Sequence, residues 1–266
     1  MKLSCQEMLV PGKGLEEKFK RLKDLGFDKV EFWGRNFIDD ADYEKQVARA
    51  LKASGLAPAA ICAGYRGCLL SQDPGQRKLA AEDIELLLGV SGRLGCDGLI
   101  VVPIFGPPQL PDLSPLFSAV ELEKDLLVEV FKPLAARAAE AKTRIILEPL
   151  NRGETHLLNT LDQAREILDA VGSPALVLMG DFFHMNIEEL SIPAAFTKHA
   201  GVLGYVHLAD NTRKQPGTGM TDFAGGIAVL KQAGYEGTLS LECGFTSGDR
   251  LDQLRQVAVD IRGMME

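Results

Sequence analysis

Paired cysteines, basic blocks, long apolar runs and tryptophan are all scarce in this 266-residue chain, and each scarcity excludes something. Its cysteines (Cys5, Cys62, Cys68, Cys96 and Cys243) are odd in number and scattered, with no CxxC spacing. Neither a disulfide framework nor a thiolate zinc site is therefore expected, and buried thiols in a reducing cytoplasm are the simpler reading. Against 37 Asp and Glu stand only 29 Lys and Arg, a net charge of −8. Affinity for phosphate backbones comes from clustered cations displacing counterions, so no nucleic-acid partner is expected. No apolar run approaches the ~18 residues that would span a bilayer. Met1–Glu7 lacks the charged, apolar, small-residue order of a secretory leader. The expectation is a cytoplasmic protein without a membrane partner. Four histidines (His156, His184, His199 and His207) are too few for a three-metal nuclease centre of the endonuclease IV type.

What the chain does have is alternation. Its 46% hydrophobic and 25% charged residues suit an ordinary globular protein. Short apolar runs near Lys2–Met8, Lys29–Phe32, Pro58–Ala63, Gly98–Pro103, Arg144–Glu148, Leu176–Asp181, Gly204–His207 and Gly237–Glu242 alternate with amphipathic helical stretches, several ending at Gly. Such runs read as parallel strands buried on both faces, and Gly takes the left-handed C′ position of a helix most easily. Eight β-then-α units without a linker or second core predict an α/β fold, a (β/α)8 TIM barrel forming one domain over residues 1–266. The doubly wound alternative usually carries GxGxxG in its first turn, and Leu9–Gly14 lacks it. No dinucleotide cofactor is expected.

A barrel does its chemistry at the C-terminal ends of its strands. Four consecutive runs end in a polar residue there: Glu148, Asp181, His207 and Glu242. Three carboxylates and an imidazole converging on one point would repel one another and be costly to desolvate unless a cation held them. Oxygen-rich ligands with one nitrogen and no sulfur suit Mn²⁺, Mg²⁺ or Co²⁺. His184, Glu154 and Arg213 follow these positions closely enough to face the same pocket. Trp33, Ala63, Tyr65, Arg66 and the loop Ile104–Phe105–Gly106 are candidates for its wall. The turn Pro216–Gly219 could cradle a phosphate on backbone N–H groups or be a plain Pro/Gly turn.

The segments Glu148-Pro149-Leu150-Asn151-Arg152, Asp181–Glu189, Arg213–Gly219 and Leu239–Cys243 resemble the xylose-isomerase-like metal-dependent TIM barrels, and among them the ketose 3-epimerases of tagatose and allulose. The resemblance covers the second half of the chain closely and the first half in layout. It implies that Glu148, Asp181, His207 and Glu242 bind a divalent ion, Mn²⁺ before Mg²⁺ or Co²⁺. It implies that Glu154, His184 and Arg213 contact a small sugar, and that Glu148 and Glu242 are the acid/base pair. Proton removal α to a carbonyl needs a tuned base and a Lewis acid for the cis-enediolate charge, and return to the opposite face would invert C3 of a ketose. Return to a neighbouring carbon would give a hydroxypyruvate-isomerase-like aldose–ketose isomerase, and expulsion of a β-hydroxyl an inosose-type dehydratase. The first strand and its loop (Gln6–Gly12) lack the aromatic residues expected around a free ketose. Apolar helix faces leave a homodimer or homotetramer open.

Overall fold

Strands whose residues are apolar at every position can sit only where both faces are covered. In the computed structural model, which describes all of residues 1–266, they do. The elements run β1 (Lys2–Gln6), α1 (Leu15–Asp24), β2 (Lys29–Trp33), α2 (Gly34–Asp39), α3 (Tyr43–Ser54), β3 (Ala57–Cys62), α4 (Pro74–Leu94), β4 (Gly98–Val101) and α5 (Ala119–Glu140). They continue with β5 (Ile145–Leu147), α6 (Leu161–Val171), β6 (Leu176–Asp181), α7 (Phe182–Glu188), α8 (Ile192–His199), β7 (Leu203–Leu208), α9 (Phe223–Gln232), β8 (Thr238–Leu241) and α10 (Arg250–Met265). The eight strands pair in parallel and in chain order, and β8 closes on β1. This is the single-domain (β/α)8 barrel expected from the alternation.

The helices carry the expected boundary chemistry. Ser118 and Thr160 cap α5 and α6 with reciprocal boxes to Glu121 and Gln163, and Gly55, Gly95 and Gly172 end α3, α4 and α6 in the left-handed conformation. Two strands stop two residues earlier than their apolar runs. The chain leaves β1 at Gln6 into a short 3₁₀ turn, Glu7–Leu9, and leaves β4 at Val101, before Pro103.

Side chains alternate along each strand. Val30, Phe32, Leu178, Val206 and Leu208 belong to the large core under the helices, whereas Ile146, Met179 and Tyr205 fill the barrel interior. Two residues on from these interior positions come Glu148, Asp181 and His207. The same pleat that packs the barrel therefore aims the polar strand ends at its axis. Pairing of β6 with β7 sets Asp181 directly beside His207.

One helix is absent from the periodicity reading. α2 is only six residues long and starts at Gly34, where a Cβ would lie 1.9 Å from the Ala63 carbonyl oxygen. Beside it Ala63 and Gly64 take positive φ values, 37° and 85°. The end of β3 is thus locked against the start of α2.

Candidate metal centre and active site

Glu148, Asp181, His207 and Glu242 meet at the C-terminal mouth, with one ligand atom from each lying within 4.8 Å of all the others. His207 Nδ1 lies 3.5 Å from Glu148 Oε1, 3.9 Å from Asp181 Oδ2 and 3.4 Å from Glu242 Oε2. The first three residues are buried and Glu242 is partly so. All four expected ligands are brought together.

The donor set fits a divalent cation, and two orphaned atoms make the case. Glu148 Oε1 and His207 Nδ1 are buried and have no hydrogen-bond partner. Buried polar atoms are nearly always paired, and a cation between these two facing atoms would pair both. The other imidazole nitrogen is committed, because His207 Nε2 lies 3.0 Å from Glu31 Oε2 and donates to it. In the neutral ring this leaves the Nδ1 lone pair for a metal, the arrangement by which carboxylates orient metal-binding histidines. Without a cation the acids are strongly perturbed. Burial pushes the Glu148 carboxyl up and Glu242 adds to that, while His207 opposes both. Partial burial opposes the ionised form of Glu242 too, but His207 and Arg213 beside it hold it below the usual carboxylate range. Burial disfavours the charged form of His207, yet Glu31 and Glu242 outweigh it and raise the pKa well above the ordinary value.

Three more expected residues line the same space. Arg213 donates from Nη2 to Glu242 Oε2 at 2.7 Å, lies 3.4 Å from Asp181 Oδ2 and stacks over the Phe183 ring at 4.6 Å. Its φ of +58° is uncommon for a residue with a side chain, and such conformations cluster at functional sites. Asn151 approaches His184 Nδ1 with its backbone N–H at 3.1 Å and its side-chain amide at 2.8 Å. Arg213 Nη1 approaches the opposite ring nitrogen, Nε2, at 2.9 Å, so the imidazole is held between Asn151 and Arg213. Glu154 accepts from the Asn151 amide at 3.0 Å and faces the cavity.

The cavity over these groups has a volume of about 660 Å³ and reaches from Glu148, His184, Arg213 and Glu242 to Trp33 and Arg35. Trp33, Ala63, Tyr65, Ile104 and Phe105 form part of its wall, as expected. Arg66 does not, because its guanidinium and backbone N–H are bound to Asp83. The turn Pro216–Gly219 is not a phosphate cradle. The N–H groups of Gly217, Thr218 and Gly219 donate to Asp210 Oδ2 at 3.0, 3.0 and 2.8 Å. Burial would raise the Asp210 pKa, but hydrogen bonds from Thr221 and this backbone lower it overall.

The family model of the xylose isomerase-like TIM barrel matches residues 19–259. The chain belongs to that family. A 3-dehydro-D-guloside 4-epimerase of Escherichia coli is 32% identical over 244 residues, covering 91% of this chain and 92% of the relative. A ketose 3-epimerase of Arthrobacter globiformis is 29% identical over 248 residues, covering 91% of this chain and 83% of the relative. Among solved structures, a 3-keto-D-glucoside 4-epimerase from E. coli in its apo form superposes with a TM-score of 0.90 at 30% identity, covering 99% of each chain.

Sequence reasoning missed the shell that supports this family member's centre. Glu31, fully buried on β2, accepts from Gln6 Nε2 at 2.8 Å, Tyr205 Oη at 2.7 Å and His207 Nε2. Gln6 also donates to Glu242 Oε1 at 3.2 Å and so links that residue to Glu31, which holds His207. The signal was a carboxylate inside the apolar run Val30-Glu31-Phe32, which pleat alternation turns inward alone.

Proposed function

We propose that the protein is a divalent-metal-dependent sugar epimerase that inverts a carbon adjacent to a carbonyl by proton transfer between Glu148 and Glu242. The observation that carries this reading is the pair of orphaned ligand atoms, Glu148 Oε1 and His207 Nδ1, in a ring of three carboxylates. Glu148, Asp181, His207 and Glu242 would hold the ion. When bound it supplies a Lewis acid for the negative charge that develops on the substrate oxygens. Oxygen-rich donors favour Mn²⁺, with Mg²⁺ and Co²⁺ as alternatives.

Glu148 and Glu242 come from strands three places apart in the ring and approach the axis from different sides. One removes the proton α to the carbonyl and the other returns one to the opposite face; the two exchange roles when the reaction runs backwards. Arg213 holds Glu242 in place and, with His184 beside it, faces the space a substrate oxygen would occupy. Glu154 accepts from a sugar hydroxyl. Inversion at C3 of a ketose remains the first expectation. The E. coli relative's name supports inversion at C4 of a 3-keto glycoside by the same α-carbon chemistry. We place the enzyme in the cytoplasm on the strength of its five free cysteines. A homodimer or homotetramer joins this proposal through the exposed Leu113, Leu116 and Phe117.

The test is a panel of free ketoses and 3-keto glycosides incubated with Mn²⁺-loaded and chelator-stripped protein. Conversion of one of them to its C3 or C4 epimer, lost on stripping and restored by Mn²⁺, is the expected result. Loss of water instead of inversion would favour a dehydratase, and an aldose product an isomerase.

A further inference from the structure

The polar lining of the cavity is asymmetric. Its carboxylates, Glu148, Glu154 and Glu242, all lie on the side built by β5 and β8. The opposite wall, from the β2, β3 and β4 ends, presents Arg35, Ser71, Gln76 and Gln109 and no acid. Arg35 follows Gly34 at the start of α2 and donates from Nε to the Gly64 carbonyl at 2.7 Å. That bond ties it to the locked segment Ala63–Gly64 and leaves both Nη groups unbonded, with no ion-pair partner. Asp83, the acid behind this wall, is taken up by Arg66 through bonds of 2.8, 2.9 and 2.7 Å. By contrast Arg213, the other arginine in the cavity, is neutralised by Glu242 and Asp181.

We infer that Arg35 is the anchor for an anionic substituent of the substrate, a carboxylate or a phosphate, at the end of the sugar remote from the metal centre. A guanidinium anchored through Nε presents its two Nη groups as a planar fork that matches such an anion. The alternative anion site, the turn Pro216–Gly219, is filled by Asp210. There is room for the substituent. A cavity of about 660 Å³ lies in the ordinary range for drug-sized ligands, well beyond a hexose of about 12 heavy atoms. The inference rests on reading the cavity as a sugar site, and it names the class of sugar that fits.

The experiment is calorimetric binding to the Mn²⁺-loaded protein with two matched pairs of probes. Methyl β-D-glucuronide is compared with methyl β-D-glucoside, and D-fructose 6-phosphate with D-fructose. At least one anionic probe should bind about tenfold or more tightly than its neutral partner, the range expected for a charge-assisted pair. The first pair succeeding alone identifies a carboxylate, the second alone a phosphate. Arg35→Gln should abolish the advantage, and Arg35→Lys, which keeps the charge but loses the fork and the bond to Gly64, should keep only part of it. The metal is common to all three proteins, so attraction of the anion to the ion itself cancels. Equal binding within both pairs, or an advantage that survives Arg35→Gln, would overturn the inference. Because binding is read without turnover, an inactive protein that still prefers the anion would count against the epimerase reading alone.

Discussion

Replacing Glu31 by Gln keeps the size of the side chain and removes its charge. The fully buried carboxylate accepts three hydrogen bonds, from Gln6, Tyr205 and His207, at 2.8, 2.7 and 3.0 Å. A Gln offers one acceptor oxygen to Tyr205 and His207, and its amide meets the Gln6 amide donor to donor. Partners behind a metal-binding histidine typically change metal affinity by about 10–100-fold, or about 1.4–2.8 kcal/mol. A second effect opposes the first. Burial lowers the His207 pKa, but Glu31 is the largest of the influences that raise it. A proton on Nδ1 competes with a cation, so removing Glu31 also relieves competition, most strongly at low pH. Wild-type affinity should therefore rise with pH as His207 gives up its proton, and the variant's should rise less. Competition of Mn²⁺ with a chelating dye from about pH 6 to about pH 8.5 spans the range in which histidine switching is read. The expected result is a deficit for Glu31→Gln that widens towards high pH in a protein with unchanged circular dichroism. Affinities within twofold at every pH, or a deficit greatest at low pH, would refute the reasoning.

Glu148→Gln and Glu242→Gln should each stay folded and lose about 10²–10⁴ in turnover, the usual contribution of general acid–base catalysis; near-normal turnover by either would remove it from the pair. Asp210, whose pKa is lowered on folding, contributes stability that is present above its unfolded value of about 3.9 and is lost as pH falls through the folded one. Urea midpoints measured downward from about pH 6 should fall for wild type and stay flatter for Asp210→Asn, which should be less stable by roughly 2–4 kcal/mol at neutral pH. Gly34→Ala puts a Cβ 1.9 Å from the Ala63 carbonyl, and forced displacement of backbone costs about 1–3 kcal/mol or more. A melting temperature equal to wild type would show that the β3–α2 contact yields easily.

The barrel was legible because period-2 burial and helical periodicity repeat over whole elements, so eight runs could be counted without any long-range information. The ring of Glu148, Asp181, His207 and Glu242 was legible for a related reason: each residue ends an apolar run, and strand ends share one mouth. Glu31 and Gln6 were not, because neither ends an apolar run: Glu31 lies inside β2, and Gln6 lies inside the run Lys2–Met8, which the strand leaves early. Their role depends on which neighbours the pleat turns inward, a property of the closed sheet. α2 escaped because six residues are too few to show a helical period. The fate of Pro216–Gly219 turned on Asp210, six residues before that turn, whose carboxylate collects its N–H groups. Arg66 could not be distinguished from a wall residue until its pairing with Asp83 was known.

The central claim is that Glu148 and Glu242 pass a proton to and from the carbon being inverted in a site that holds a divalent ion. Nuclear magnetic resonance of the converting sugar in D₂O with Mn²⁺-free, Mg²⁺-loaded protein tests it most directly. Solvent deuterium should appear at the inverted carbon and nowhere else, in wild type but not in Glu148→Gln or Glu242→Gln. Epimer formed without solvent deuterium at that carbon, or labelling that continues undiminished in both variants, would contradict it.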